Sequence, residues 1–448
     1  MAGWCVVWEG GAAACDPARW AETLRLAARA GERVQSCRAA GYALAAWARP
    51  RGEFRCSGRI LEPAVGTRVA WLGQVRERDQ DVSARAAATL ADERTTHDQV
   101  AGLNGPFASA AVQRAGRGIA LWTDRHRHYP IYMVRSGDRL VAATDLLCLR
   151  PWLVRRELDR QVLDLLLRTG ECLDRTCLVT GVEILPPATC AGLRDGRYFE
   201  QRYWAFRFEA QRGLKPADCA MEAGRRLHAA VLNVEATGAR LGVPLSGGLD
   251  SRFLLGLCRA PQKVPSFTWG APGCRDIRYG RNVAAAFGSP HRIRTWAPEA
   301  FVPLWQEGVA RTGGATGVDE MYLLPFVELL AGHCDAILDG LAGDALLGGN
   351  FLKWRWLRAR SLSELAAASW RWRVSPAEDD CIDRLLPGCE PGAARRTWLA
   401  SIMARGDGRP VERFNEWLFE NRVFRHANCG TLLVRGGVEA HAPFFDRD

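Results

Sequence analysis

From residue 1 to about 205, apolar positions come in short alternating runs broken by Gly, Pro and Asp-Arg turns. Arg68-Val-Ala-Trp-Leu-Gly, Gly118-Ile-Ala-Leu-Trp-Thr, Pro130-Ile-Tyr-Met-Val and Arg139-Leu-Val-Ala-Ala are examples. A period of two sends successive side chains to opposite faces, so these runs predict strands of a mostly antiparallel, two-layer region. Helical spacing interrupts them at about 18–30, 84–102 and 157–168. No internal repeat or low-complexity tract occurs.

After Tyr203-Trp204 the rhythm changes. Apolar positions at 216–236 follow helical spacing, and Arg240-Leu-Gly-Val-Pro-Leu then runs as a short strand into a glycine loop. A helix over 251–259 is followed by the strand Val264-Pro-Ser-Phe-Thr-Trp269, a helix over 276–287 and the strand His291-Arg-Ile-Arg-Thr-Trp296. Helices over 298–311 and 319–332 lead to the strand Asp335-Ala-Ile-Leu-Asp339, and 362–430 is mainly helical. Such alternation predicts a parallel sheet covered on both faces. The division falls near 206, giving domains at 1–206 and 207–448.

The loop Ser246-Gly-Gly-Leu-Asp-Ser251 stands between a strand and a helix. Gly247 and Gly248 let the backbone turn so that several N–H groups face one point, and the following helix aims its positive end there. The hydroxyls of Ser246 and Ser251 can add hydrogen bonds to phosphate. Asp250 would repel phosphates unless a divalent cation lies between them, which implies Mg²⁺. The spacing is neither a Walker loop nor a dinucleotide fingerprint. A second glycine-rich segment, Asp339-Gly-Leu-Ala-Gly-Asp344-Ala-Leu-Leu-Gly-Gly349, also follows a buried strand, so Asp344 can share the cation with Asp250 at the carboxyl edge of the sheet.

Composition narrows the options without changing this picture. The formal charge of +10 comes almost wholly from arginine, and the arginines are scattered rather than gathered into a nucleic-acid arm. No apolar run spans a membrane and the first residues do not read as a signal peptide, which predicts a cytoplasmic protein with neither membrane nor nucleic acid as partner. Fifteen cysteines, irregularly placed and with no C-x-x-C pair, read as reduced core thiols. The eight histidines show no metal spacing, although His126 and His128 share a loop.

Three segments in order, SGGLDS, D-G-L-A-G-D-A-L-L-G-G and Gly437-Val-Glu-Ala-His-Ala-Pro-Phe-Phe-Asp446, resemble signatures of the asparagine synthetase family. Leu103-Asn-Gly-Pro-Phe-Ala, Thr123-Asp-Arg-His-Arg-His-Tyr-Pro-Ile-Tyr132, Ala143-Thr-Asp145, Ile184-Leu-Pro-Pro187 and Arg202-Tyr-Trp204 look like its N-terminal amidotransferase domain. The resemblance spans nearly the whole chain. It implies an α+β, Ntn-hydrolase-like antiparallel sandwich followed by an α/β ATP-pyrophosphatase domain of the adenine nucleotide alpha hydrolase type. It also implies ATP with its adenine near Leu245 and Trp269-Gly270, Mg²⁺ on Asp250 and Asp344, and Gly340 and Gly343 at the phosphates. A substrate carboxylate is then adenylated, pyrophosphate leaves, and an amine displaces AMP.

The sequence departs from that family in instructive places. Glutamine-using members carry cysteine directly after the initiator methionine; here Ala2 stands there, and Cys5 lies in an apolar run that suits a core position. The counterpart of the glutamine-binding segment reads Trp71-Leu-Gly-Gln-Val-Arg76, so the glutaminase is expected to be degenerate and the amine to come from the substrate. Glutamine-independent relatives include β-lactam and carbapenam synthetases and the lasso peptide cyclases, which join an Asp or Glu side chain of a precursor peptide to its N-terminal amine. Leu341 replaces the proton-handling tyrosine of the β-lactam enzymes, which favours the peptide cyclases. Their partners are a precursor peptide, a leader peptidase and a leader-binding protein.

Glu439 could orient or deprotonate the amine, or it could be a structural carboxylate paired with Arg435 or Arg425. Trp354, Trp356, Trp370 and Trp372 could line a peptide groove or pack a helical core. The given chain stops at Asp448, before the place where family members supply a lysine for the leaving pyrophosphate, and Lys215, Lys263 and Lys353 do not match that place. Small-molecule amide or lactam synthesis and a non-catalytic scaffold that kept the nucleotide fold are the competing readings.

Overall fold

Alternation in the first half does build sheets. The computed structural model describes residues 2–9, 15–28, 33–39, 41–48, 58–64, 66–77, 80–92, 94–112, 118–208, 213–300, 302–349 and 352–447. One antiparallel sheet runs in the order Glu183–Ile184, Tyr132–Ser136, Arg139–Ala143, Gly3–Glu9, Tyr42–Ala48, Arg33–Ala39. A second runs Arg197–Arg202, Thr189–Arg194, Gly118–Thr123, Phe107–Val112, Arg68–Gly73, Arg59–Leu61. Trp4, Val6 and Trp8 fill the space between the sheets with Leu72, Ala110 and Leu121. Cys5 and Val7, one residue out of phase, pack outward against Trp20, Leu149 and Trp152. Across the other sheet, Val69, Trp71 and Phe107 meet Ala86, Ala87 and Leu90 of the helix Ser83–Ala91. The layers are therefore helix, sheet, sheet, helix.

Local signals explain where the observed elements differ from the expected ones. The helix expected over 84–102 is two, Ser83–Ala91 and His97–Ala101. Thr96 starts the second one: its hydroxyl accepts from Gln99 N (3.4 Å) while Gln99 Oε1 accepts from Thr96 N (2.8 Å), a reciprocal cap. The first helix spans Pro17–Ala27, and residues 29 and 30 of the expected range lie outside the described ones. The helix Arg160–Thr169 does not belong to the sandwich core. Its Leu165, with Leu173, packs among Trp356, Leu362, Trp370, Trp398, Phe414 and Trp417 from the C-terminal helices.

The second half forms a five-stranded parallel sheet, His291–Thr295, Ser266–Gly270, Leu241–Pro244, Ala336–Leu338, Glu439–His441. Leu241, Val243, Ala336 and Leu338 face one way, onto Leu227, Val231, Leu254 and Ala284. Phe267, Ile337 and Ala440 face the other, onto Leu330 and Val434. The edge strand Glu439–His441 was expected only as part of a signature segment. From the central strand Leu241–Pro244 the chain builds outward on one side and then returns to the other. The order reverses between Leu241–Pro244 and Ala336–Leu338, and the two glycine loops leave those strands. Ligands of open parallel sheets bind at such a reversal, beyond the carboxyl ends.

A continuous helical run, Pro410–Leu418, Phe419–Ala427 and Asn428–Val434, seams the halves together, and its middle section is wound as a π-helix. Asn421 Oδ1 accepts from Asp174 N (2.6 Å), Arg425 donates to Asp174 O (2.7 Å), and Asn428 Nδ2 donates to Arg127 O and His128 O (both 3.2 Å). Just beyond the run, Arg435 donates to His128 O (2.6 Å), Ala440 O (3.1 Å) and Glu439 Oε1 (3.1 Å), and Tyr129 donates to the same Glu439 oxygen (2.9 Å). Removing Arg435 would strand a buried carboxylate. Arg435→Met is expected to lower the unfolding free energy by about 3–5 kcal/mol, against about 1 kcal/mol for Tyr129→Phe, which deletes one hydrogen bond. Urea titration of the two variants checks this; equal losses would mean that Glu439 is solvated.

Candidate active site

The first glycine loop is shaped by what crowds it. Leu245 N donates to Phe267 O (2.7 Å), and its carbonyl accepts from the Thr268 hydroxyl (2.5 Å), so the strand hands over to the loop at a fixed point. Gly247 has φ +75°, and a Cβ there would lie 2.2 Å from Tyr279 Cβ. Only glycine meets both conditions. Gly248 N donates to Ser246 Oγ (3.3 Å) and caps the helix Leu249–Leu257, whose N-terminal N–H groups open toward the loop. Arg252 ties down the carbonyls of Gly247 (2.6 Å) and Gly248 (3.2 Å). Ser251 Oγ is buried without a hydrogen-bond partner, a donor left over for a phosphate oxygen.

The second loop reaches the first through Asp250. Asp250 Oδ2 accepts from Asp344 N at 3.1 Å. A Cβ on Gly343 would stand 2.5 Å from Asp250 Cγ, and one on Gly340 would stand 3.1 Å from Asp250 Cβ. These two glycines therefore act by close approach of backbone to carboxylate. Between them Ala342 holds φ +72°, a conformation that costs a side-chain-bearing residue about 1–3 kcal/mol and that clusters at functional sites. Burial, with the charge of Asp344 beside it, raises the Asp250 carboxyl above the usual carboxylate range. Burial likewise raises Asp339, whose Oδ1 accepts from Leu341 N (3.0 Å).

Both loops open into a cavity of about 660 Å³. Leu245, Ser246, Gly248, Asp250, Ser251, Trp269, Gly270, Gly340 and Asp344 line it; Gly247 and Gly343 shape its loops without lining it. Trp269 is stacked on Phe326 (4.9 Å between centroids) and Trp296 on Tyr322 (6.1 Å), which gives the cavity flat apolar walls. Gly430, Thr431 and Val434 close it from the seam helix. Sequence reasoning missed these last three, since nothing local ties positions near 430 to a loop at 246. Among the described residues, the lining carries four carboxylates, Asp250, Asp276, Asp339 and Asp344, and no lysine or arginine.

Other expectations fare differently. Glu439 does not line the cavity. It opens the strand that pairs with Ala336–Leu338, in register with Ala336, and so stands at the amino edge of the sheet, away from the carboxyl edge where the loops meet. Its carboxylate is held by Arg435 and Tyr129, the structural alternative. Cys5 is fully buried, and burial pushes its thiol well up, so no thiolate forms there. Trp356 and Trp370 are core, whereas Trp354 and Trp372 are exposed. Asp124, His126 and His128 bring ligand atoms within 4.8 Å of one another. Asp124 is already spent, accepting from Phe107 N (3.2 Å), His126 N (2.9 Å), His128 N (3.1 Å) and His128 Nδ1 (2.9 Å). A second cavity, about 470 Å³, lies at the seam of the halves, lined by Gln74, Asn104, His441 and Asp446 among others, apart from both glycine loops.

No curated protein matches the chain. Among solved structures, a glutamine phosphoribosylpyrophosphate amidotransferase from B. subtilis complexed with ADP and GMP aligns at 11% identity, over 65% of this chain and 65% of that one, with a TM-score of 0.30. A structure described as the allosteric regulatory enzyme of purine biosynthesis aligns at 11% identity over 65% of this chain and 64% of that one, also at 0.30. The chain thus spans about two thirds of their length or slightly less, and likeness at that level carries no argument. The family model described as asparagine synthase matches residues 222–448, just over half of the chain and the part that holds both glycine loops and the cavity between them. The chain belongs to the asparagine synthase family.

Proposed function

We propose that this member of an ATP-dependent ligase family adenylates a carboxylate of a precursor peptide and closes a macrolactam with the peptide's own amine, as lasso peptide cyclases do. The observation that carries the adenylation is the cavity at the sheet's reversal, where a helix N-terminus and the unpartnered Ser251 hydroxyl face four carboxylates with no lining cation among the described residues. Phosphates enter such a site only with a divalent cation. The paired carboxylates of Asp250 and Asp344 fit Mg²⁺, which when bound supplies the charge neutralisation that the lining lacks.

The chain's own groups do the rest. The N–H groups at the start of Leu249–Leu257 and Ser251 Oγ bind phosphate oxygens, and the aromatic walls around Trp269 and Gly270 take the adenine. A bond forms from the substrate carboxylate oxygen to the α-phosphorus and the bond to pyrophosphate breaks. The amine nitrogen then bonds to the activated carbonyl carbon, loses its proton, and AMP leaves. Positioning and charge placement are the protein's contribution.

The amine comes from the substrate because Cys5, buried and with its thiol pushed up, cannot serve as a glutaminase nucleophile. Residues 1–206 are read as an Ntn-hydrolase-like domain with a degenerate glutaminase, and 207–448 as the ATP-pyrophosphatase domain. Leu341 lines the cavity and has no proton to transfer, which favours a peptide over a β-lactam precursor. The partners on this reading are the precursor peptide, a leader peptidase and a leader-binding protein, in the cytoplasm. No helix among the described residues is long and apolar enough to cross a membrane.

Three outcomes are expected. A precursor core peptide incubated with ATP and Mg²⁺ loses one water, seen by mass spectrometry, as AMP appears; ADP instead of AMP, or no mass change in any candidate peptide, sinks the reading. Because Asp250 is raised, its ionised form costs the folded state stability above that raised value, and the cost vanishes as pH falls through it. Asp250→Asn should therefore melt higher than the parent at neutral pH without Mg²⁺, the gap closing on acidification, while AMP release falls by about 100-fold or more. Gly343→Ala should push the loops apart and cut AMP release by about 100-fold, with circular dichroism unchanged; parental turnover would show that the loop contact is dispensable.

A further inference from the structure

Past the second glycine loop the chain carries a surface that the folded protein leaves uncovered. Trp354, Leu357 and Trp372 are 73%, 58% and 47% exposed, although they lie beside a well-filled helical core. Trp354 and Leu357 belong to the short helix Trp354–Arg358, and Trp372 packs against it. Trp372 packs edge-on against the buried Trp356, with centroids 5.9 Å apart and planes at 84°. Lys353 Nζ sits 4.4 Å above the Trp372 ring, and the Arg358 guanidinium lies 5.6 Å from the Trp354 ring. Lys353, Arg355, Arg358 and the exposed Arg371 have no carboxylate partner among the described residues.

We propose that this surface docks the substrate peptide through a stretch bearing carboxylates beside apolar side chains; the proposal rests on the ligase reading above. Two observations select that occupant. The first is charge: cations already seated on ring faces leave ring edges for an apolar side chain and free N–H donors for a carboxylate at the same spot. The second is continuity. Leu347, 61% exposed, lies in the turn Asp344–Gly348, and only five residues separate Gly348 from Trp354. The six steps from Gly348 to Trp354 span at most about 22 Å, so an extended peptide of similar length held here can reach the turn that carries Asp344. An anionic membrane or a single-stranded nucleic acid would also meet aromatic and basic groups, but neither accounts for a position beside the adenylation loop.

The test uses the full chain and a fluorescein-labelled dodecapeptide alternating Glu and Phe. Its polarisation titration is compared with an alternating Lys-Phe dodecapeptide, a twelve-nucleotide oligouridine and phosphatidylglycerol vesicles. The acidic peptide should bind tightest. Trp354→Ala/Trp372→Ala should weaken it by about tenfold or more, and Lys353→Glu/Arg358→Glu should do the same while flattening its salt dependence. Mg-ATP binding by calorimetry should be unchanged in both variants, which also shows that they fold. Equal affinity for the two peptides, unchanged affinity in the variants, or tighter binding of oligouridine or vesicles would overturn the docking surface. Acidic peptide bound here by a chain that cannot bind Mg-ATP would uphold the surface and remove the ligase reading instead.

Discussion

The geometry of the candidate site depends on one contact, the approach of the Asp344 backbone N–H to the Asp250 carboxylate at 3.1 Å. It joins two loops that leave different strands, and it sets two acids beside one another in a partly desolvated place. That arrangement costs stability by itself, since like charges in low dielectric repel. It persists because glycine at 340 and 343 lets backbone lie against the carboxylate, and because Ala342 is held in a left-handed turn between them. A cation between the two carboxylates would relieve that repulsion.

The rest of the fold is arranged to keep those loops in register. The reversal of strand order between Leu241–Pro244 and Ala336–Leu338 brings the loops side by side, and Gly280 lets its helix pack closely on the neighbouring strand Ser266–Gly270: a Cβ there would fall 2.2 Å from Thr268 Oγ1. The seam helix then couples the sheet to the antiparallel sandwich through Asn421, Arg425 and Asn428, with Arg435 just beyond it. The same run closes the cavity with Gly430 and Thr431. The wall of the cavity and the clamp between the halves are thus one element, and its π-wound section stands where both demands meet.

The acidic lining also separates the two chemical halves of the proposed reaction. Phosphate binding calls for positive charge that the cavity lacks, whereas binding an acidic peptide calls for positive charge that the Lys353 to Arg371 surface offers. Among the described residues, cationic side chains are absent from the lining and present on the surface that follows the second loop in sequence.

Periodicity marked strands of the sandwich and four of the five parallel strands, and residue identity marked the two glycine loops, because each depends on neighbours a few residues away. Gly247, Gly248, Asp250 and Asp344 were legible for the same reason: a tight turn at a helix start leaves a local signature. Glu439 was not. Its chemistry fitted either role, and only the register of its strand with Ala336 put it at the amino edge, under Arg435 and Tyr129. Nor could spacing separate Trp356 and Trp370, which are core, from Trp354 and Trp372, which are exposed, since that choice depends on packing by Leu165 and Phe414 from distant segments. Short-range sterics write themselves into sequence; which face a residue finally presents is decided by partners hundreds of positions away.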